Sequence, residues 1–166
     1  MFEESADKSL ESTKKRALKI LGSRQMSCAD MERRLVQKGE SEQNARSAVE
    51  WLERIGAVDD VQFAEAICTH YCAKGYGLAR IKDELFKRQI PRELWQDALS
   101  AVNDDEMHDA AVEFLKKRLR GSGDKDDMRR AVDALCRRGF SYEDAKAAIA
   151  RYLESVENTE ESEMMD

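Results

Sequence analysis

A chain of 166 residues with a single proline, eight glycines and 37% charged residues has the composition of a soluble helical protein, which excludes a turn-rich β architecture. No window approaches the roughly 18 consecutive apolar residues of a membrane span. The acidic start MFEESADKSL also lacks the basic and then apolar pattern of a signal peptide. We therefore expect a cytoplasmic protein.

The formal net charge of -6 is concentrated at the two ends of the chain. Residues 1–13 carry a net charge of -3 and residues 154–166 carry -6, which leaves +3 for the residues between them. Acidic tails of this kind either solubilise a protein, the interpretation that we favour, or screen a basic surface from nucleic acid.

One sequence pattern occurs three times at offsets of fifty residues. It aligns Leu35, Lys38, Gly39, Ser41, Ala48 and Val49 with Leu85, Arg88, Gln89, Pro91, Ala98 and Leu99, and again with Leu135, Arg138, Gly139, Ser141, Ala148 and Ile149. Self-similarity at this period is typical of stacked supersecondary units. We predict an all-α fold of three tandem three-helix repeats, about nine helices, in an elongated, curved array. The predicted divisions are an acidic N-terminal segment at 1–13, repeats at 14–58, 59–105 and 106–153, and a disordered acidic tail at 154–166.

In the first repeat, caps and stops mark the helix ends. Ser27 and Asp30 fit a capping box ahead of the second helix. Gly39 supplies a left-handed stop for that helix, and Ser41 caps the third.

The second repeat opens at Asp59 or Asp60, either of which can cap its first helix. The segment 74–77, Lys-Gly-Tyr-Gly, could hold a phosphate, but it follows no strand, so we favour a helix break. Pro91 suits the first turn of the third helix. Gln89 stands where the other repeats have glycine; a left-handed backbone there would cost about 1 kcal/mol or more.

The third repeat repeats these signals. Glycines at 121 and 123 break the chain after its first helix, and Ser141 with Asp144 forms a second capping box. We expect the last helix to fray after Leu153.

Cysteine and histidine do not form a metal site in this sequence. Cys68, His70 and Cys72 lie on one predicted helix, where His70 points about 200° away from the thiols, so three ligands cannot converge. We interpret both cysteines as small apolar residues in a reducing compartment, and we predict no cofactor.

Catalytic motifs are also missing. The chain has two histidines and neither a G-x-S-x-G nucleophile motif nor a G-x-x-x-x-G-K-[ST] phosphate loop. We therefore predict a protein that is not an enzyme.

Cationic residues recur on the second helix of two repeats. Arg80 and Lys87 lie seven residues apart on the face opposite the apolar stripe, and Arg130 and Arg137 are their counterparts fifty residues later. A basic binding stripe is one interpretation. The alternative is a solvated helix face with intrahelical pairs such as Arg80 with Glu84.

Two segments resemble a known protein family. Residues 56–64, GAVDDVQFA, and residues 74–85, KGYGLARIKDEL, closely resemble the G-x-[LV]-[DN]-D-x-x-F-A and K-G-x-G-x-x-[KR]-I-x-x-E-L segments of the bacterial RecX family. The resemblance extends more weakly to the first repeat through Arg24, Ser27, Leu35, Lys38 and Gly39. It covers most of residues 14–153, whereas the third repeat and both tails match poorly.

The resemblance implies a regulator that binds RecA and the RecA filament on single-stranded DNA. Such a regulator inhibits or modulates the recombinase, ATPase and coprotease activities of RecA in DNA repair and the SOS response. The residues that we expect to contact RecA or DNA are Arg24, Arg33, Arg34, Lys38, Lys74, Tyr76, Arg80, Lys82, Lys87, Arg88, Arg130 and Arg137. A stand-alone DNA-binding helical module and a generic helical adaptor stay open as alternatives.

Overall fold

The computed structural model describes residues 2–165, with side chains from residue 9 onward. Within this range the chain forms nine α-helices, one short 3-10 helix and no strand. The α-helices are α1 (Phe2–Leu21), α2 (Cys28–Gln37), α3 (Glu42–Arg54), α4 (Asp60–Ala73), α5 (Leu78–Lys87), α6 (Trp95–Ser100), α7 (Asp104–Leu119), α8 (Lys125–Arg137) and α9 (Tyr142–Met164), and the 3-10 helix is Arg92–Leu94. The predicted all-α fold of about nine helices is confirmed.

The described chain forms two compact units. Unit 1 contains the residues up to Ala66 together with Leu85–Gln96, and unit 2 contains Ile67–Glu84 together with the residues from Asp97 onward. The helices of the predicted first repeat belong to unit 1 and those of the third to unit 2, whereas the second repeat contributes to both. The repeat boundaries themselves stay a prediction.

Unit 1 is built around helix α3, on which α1 and α2 pack. Ala45, Val49 and Leu52 follow the three-to-four spacing of one helix face and are buried. Met31 and Leu35 bring the apolar face of α2 to the same core and are fully buried. The apolar periodicity of the sequence therefore places the core of this unit.

Unit 2 has α7, α8 and α9 in mutual contact. Its largest side chains with almost no exposed surface are Tyr152, Ile81, Leu115 and Leu135. The Tyr152 hydroxyl accepts a hydrogen bond from the Gly121 N–H at 3.0 Å, so the buried polar atom is satisfied.

The predicted serine caps are present in both units. The Ser27 hydroxyl accepts the N–H of Asp30 at 3.1 Å, and Ser41 and Ser141 cap α3 and α9 in the same way. For α4, the cap is Asp59, whose carboxylate accepts the N–H of Gln62 at 3.1 Å.

The residue two positions after α2, α5 and α8 has a left-handed backbone in each case. The φ angle is 95° at Gly39, 56° at Gln89 and 96° at Gly139. Gln89 therefore adopts the turn conformation of the two glycines rather than a different turn, and it bears the steric cost of a Cβ atom there.

The expected disorder after Leu153 is not what the structure shows. Helix α9 continues to Met164. Residues 154–164 contain neither proline nor glycine, and the hydroxyls of Ser155, Thr159 and Ser162 each donate to a backbone carbonyl three or four residues earlier. A helix is therefore compatible with every residue of this acidic segment.

Candidate functional site

The predicted contact residues divide between the two units, and each unit is described by itself. Unit 1 contains Arg24, Arg33, Arg34, Lys38, Lys87 and Arg88, and unit 2 contains Lys74, Tyr76, Arg80, Lys82, Arg130 and Arg137. Arg34, Tyr76 and Arg80 are partly buried, and the other nine are exposed. Their contacts with RecA or DNA stay a prediction.

Three of the unit 1 arginines surround one carboxylate. Asp30 lies 2.6 Å from Arg33, 3.4 Å from Arg34 and 3.9 Å from Arg24. The Asp30 side chain is only 13% exposed, so its carboxylate lies on the protein side of the guanidinium groups, which face solvent. One negative charge among three positive ones leaves a cationic patch, which we call the Asp30 cluster. It is a preorganised partner for phosphate or carboxylate groups.

A second cationic group of unit 1 was missed by the sequence reasoning. Arg16, Lys19 and Lys38 line a groove of about 410 Å³. Arg16 donates to the backbone carbonyl of Lys38 at 2.9 Å and pairs with Glu40 at 3.1 Å, which fixes its position. The run of three cations at residues 14–16 is the signal in the sequence that could have indicated this group.

In unit 2, the Lys-Gly-Tyr-Gly segment is used for internal packing. The Gly77 N–H donates to the carbonyl of Arg138 at 2.9 Å, and the Ala79 N–H donates to the carbonyl of Gly139 at 3.1 Å. A Cβ atom on Gly77 would lie 2.4 Å from backbone atoms of Gly139 and Phe140. The second glycine of the motif is therefore required by a close approach of two backbones. The predicted helix break between α4 and α5 is confirmed.

Arg138 is the central side chain of this contact. Its Nε donates to the Gly75 carbonyl at 3.0 Å and one terminal nitrogen donates to the Lys74 carbonyl at 2.8 Å. Its guanidinium carbon lies 4.4 Å from the ring centre of Tyr76 and 4.7 Å from that of Phe114. The repeat alignment contains Arg138, but it does not reveal a partner more than sixty residues away.

The predicted alternative of an intrahelical pair is present at Arg80. A terminal nitrogen of Arg80 lies 3.1 Å from the buried Glu84 carboxylate, and the Arg80 backbone packs against Gly139. The guanidinium carbon is also 5.8 Å from the Tyr76 ring. Arg80 and Tyr76 therefore contribute to the packing of unit 2, and a contact of either residue with RecA or DNA stays a prediction.

Four predicted cations of unit 2 keep exposed side chains. They are Lys74, Lys82, Arg130 and Arg137. Arg130 lies 3.6 Å from Asp127, but both side chains are largely exposed, so the pair is weak and screened by salt. These residues form the accessible part of the predicted basic surface in this unit.

The Cys28 thiol is not an activated nucleophile. Burial, followed by a hydrogen bond to Glu53, raises the pKa of the Cys28 thiol, so that it stays protonated. Burial also raises the pKa of Asp60, which accepts the Cys28 N–H at 2.9 Å. Cys68 and Cys72 are buried, as their interpretation as core residues requires.

Two further observations apply only to the described residues. Over residues 2–165, no group of three or more histidine, cysteine, aspartate or glutamate side chains is arranged to hold a metal ion. Over the same range, no helix has the length and apolar character that a membrane crossing requires.

Comparisons with a family model, with related sequences and with solved structures all give the same family. A family model described as "RecX, second three-helix domain" matches residues 59–99. "Regulatory protein RecX" of Xanthomonas axonopodis pv. citri (strain 306) is 33% identical over 141 residues, covering 84% of this chain and 86% of the relative. "Regulatory protein RecX" of Pelodictyon phaeoclathratiforme is 30% identical over 134 residues, covering 80% and 84%.

Solved structures show the same fold. The crystal structure of RecX from Lactobacillus salivarius superposes with a TM-score of 0.78 at 20% identity and covers 88% of this chain and 97% of that one. A second crystal structure, of a regulatory protein RecX, has a TM-score of 0.76 at 17% identity and covers 88% and 75%.

Proposed function

The chain belongs to the RecX family, and from this membership we propose that it binds the RecA recombinase and its filament on single-stranded DNA and inhibits RecA activity. The observation that carries the proposal is 33% identity over 141 residues to a protein named as a regulatory protein RecX. Relatives bearing this name are regulatory proteins rather than enzymes, which agrees with a role in binding. We further propose that the protein acts in the cytoplasm, in DNA repair and the SOS response.

The exposed cations support binding through electrostatic contacts. The Asp30 cluster of unit 1 and the exposed Lys82, Arg130 and Arg137 of unit 2 can each contact phosphates or acidic protein surfaces. Contacts of this type position a protein on a filament without reading a base sequence. With a net charge of only +3 for residues 14–153, affinity for bare DNA should be low, and RecA should supply the remaining contact surface.

The test is RecA-catalysed ATP hydrolysis on single-stranded DNA, followed in real time as the protein is added to preformed filaments. Loss of hydrolysis at substoichiometric amounts indicates blocked filament growth, and loss only near saturation indicates coating of the filament. Unchanged hydrolysis at stoichiometric excess would contradict the proposal. Salt-sensitive DNA binding without any effect on RecA would instead support a stand-alone DNA-binding module.

A residue-level test uses three exposed cations of unit 2. The triple variant Lys82→Glu, Arg130→Glu, Arg137→Glu should raise the concentration needed for half-inhibition at least about tenfold, because each reversal converts an attraction to phosphate into a repulsion. The matched control reverses Lys116, Lys117 and Arg118, which are exposed cations of the same unit on α7. Equal loss in both variants would indicate a general charge effect rather than a specific surface.

A further inference from the structure

The groove between the second and third helices of the first repeat is also lined by residues from outside those two helices. Cys28 and Glu32 of α2 and Val49 and Glu53 of α3 line this α2–α3 groove. The segment 58–61, Val-Asp-Asp-Val, lies on it, and the Asp60 carboxylate accepts the N–H of Cys28 at 2.9 Å. Pro91 and Leu94 also line it. The residues that these segments add to the lining are thus apolar and acidic, and they leave a cavity of about 680 Å³.

The corresponding groove of unit 2 is lined by α8 and α9 alone. This α8–α9 groove has a volume of about 360 Å³, and its floor consists of Met128, Val132, Ile149 and Leu153. Six of the eight residues that line it have counterparts one hundred positions earlier that line the α2–α3 groove. Where unit 1 has Glu32, Glu42 and Glu53, unit 2 has Val132, Tyr142 and Leu153.

The α8–α9 groove is therefore the more apolar of the two, and Tyr142 at its edge is 64% exposed. A repeat with a free outer face ordinarily carries polar residues there. An apolar groove rimmed by charged residues instead indicates a surface that receives a partner.

The rim of the α8–α9 groove defines the chemistry of that partner. Arg129 and Lys146 stand at its edges with one acid, Asp133. The Lys146 ammonium lies 5.5 Å from the centre of the Tyr142 ring, which holds the cation beside the apolar floor. A complementary segment carries apolar side chains among carboxylates, as the segment 58–61 does on the equivalent groove of unit 1.

The end of α9 has this chemistry. Residues 154–164 contain five glutamates and no lysine or arginine, and Met164 and Met165 are 86% and 87% exposed. These eleven residues of helix extend about 16 Å, close to the roughly 18 Å of the α9 wall of the groove, residues 142–153. Because the segment continues the helix that forms this wall, it cannot fold back onto its own groove while helical. The same segment of a second molecule can reach it.

We propose that the α8–α9 groove binds the acidic helical segment 154–165 of a second copy of this chain. The exchange is reciprocal, each copy placing its segment in the groove of the other, as a two-fold symmetric contact requires. Arg129 and Lys146 attract the glutamates, and the two exposed methionines contact the apolar floor.

The test is sedimentation velocity of the full chain over a wide range of protein concentration. The wild-type protein should show a reversible monomer–dimer equilibrium. Arg129→Glu with Lys146→Glu should raise the dimer dissociation constant at least about tenfold, because the reversed charges repel the glutamates. Lys117→Glu with Arg118→Glu, on α7, has the same net charge and should leave the constant unchanged within about twofold.

A charge-swapped variant identifies the occupant of the groove. Adding Glu160→Lys, Glu161→Lys and Glu163→Lys to the Arg129→Glu, Lys146→Glu protein should restore the dimer. All five positions are exposed, and circular dichroism checks that helicity is retained. A wild-type protein that is monomeric at every concentration overturns the proposal. So does association that survives the double reversal, or that the swap does not restore.

Discussion

The first and third repeats share the same turn after their second helix, but only the turn glycine of the third repeat lies against another backbone segment. Gly39 and Gly139 have almost the same φ angle, 95° and 96°. A Cβ atom on Gly39 would meet nothing within 4 Å, whereas one on Gly139 would lie 2.4 Å from the backbone nitrogen of Arg80. The repeated sequence thus encodes a local conformation twice, and the environment within unit 2 adds a second requirement at one copy.

The substitution Gly139→Ala should have the largest effect on stability. An alanine there bears the left-handed strain and also displaces the backbone of α5, so we expect a loss of about 2 to 5 kcal/mol in the free energy of unfolding. Urea unfolding followed by circular dichroism measures this change.

The control is Gly39→Ala, which meets the strain without the clash. The expected loss is about 1 to 2 kcal/mol. Equal losses for the two variants would show that the approach of Arg80 to Gly139 has no energetic consequence.

Lys38 and Arg138 immediately precede Gly39 and Gly139. Substitution at these two positions should again cost more stability in the third repeat than in the first. Arg138→Met removes two charged hydrogen bonds to the carbonyls of Lys74 and Gly75, and we expect a loss of about 1.5 to 3 kcal/mol. Lys38→Met, at the equivalent exposed position of unit 1, should change stability by no more than about 0.5 kcal/mol.

A second measurement locates the effect of Arg138. Hydrogen exchange of the Gly77 and Ala79 amides, which donate to the Arg138–Gly139 turn, should accelerate in Arg138→Met and not in Lys38→Met. Unchanged exchange together with full stability would mean that the arginine is not needed to hold the turn in place.

These differences show which features the sequence could predict. The caps at Ser27, Ser41 and Ser141 and the turns at Gly39 and Gly139 involve residues within five positions of each other, so local patterns identify them. The contacts of Arg138 with Lys74 and Gly75 join residues 63 and 64 positions apart, and no periodicity specifies such a pairing.

The candidate site also contains local contacts, which the sequence can predict, and long-range contacts, which it cannot. Arg33 and Arg34 meet Asp30 one helical turn away, which spacing rules can anticipate. The proximity of Arg16 to Lys38 and the packing role of Arg80 depend on tertiary structure. The helical tail was not predicted, because the six acidic residues of 154–166 are typical of a disordered segment. The absence of proline and glycine from residues 154–164 is the feature that is compatible with a helix.

The third turn of the series, at Gln89, offers a stabilising change. Gln89→Gly should raise the free energy of unfolding by about 0.5 to 1 kcal/mol, because glycine adopts a φ of 56° without the steric cost of a Cβ atom. The Gln89 amide oxygen can also accept from Arg33 at 3.1 and 3.2 Å, and glycine loses this contact.

Gln89→Ala separates these two contributions. Alanine keeps the Cβ atom and loses the amide, so it should be no more stable than the wild-type protein. Thermal unfolding of the three proteins side by side gives the comparison. If alanine stabilised the protein as much as glycine does, backbone strain at this turn would not be the cause.

The smallest expected difference lies in the caps of α3 and α9, where Asn44 of unit 1 corresponds to Asp144 of unit 2. The hydrogen bond from Ser141 at 2.6 Å, and secondarily His108 at 3.5 Å, lower the pKa of Asp144. Because the folded-state pKa lies below the unfolded one, Asp144 contributes stability above its ordinary pKa and loses it as the pH falls through the folded-state value. Asn44 has no such titration.

Asp144→Asn should therefore make the cap of α9 behave like that of α3. Near neutral pH we expect a loss below about 1 kcal/mol, since asparagine is itself a good residue at a helix start and the Asp144 side chain is 44% exposed. The difference between wild type and variant should shrink as the pH is lowered, which urea unfolding at a series of pH values measures. A difference that stays constant down to acid pH would assign the loss to the geometry of the cap rather than to its charge.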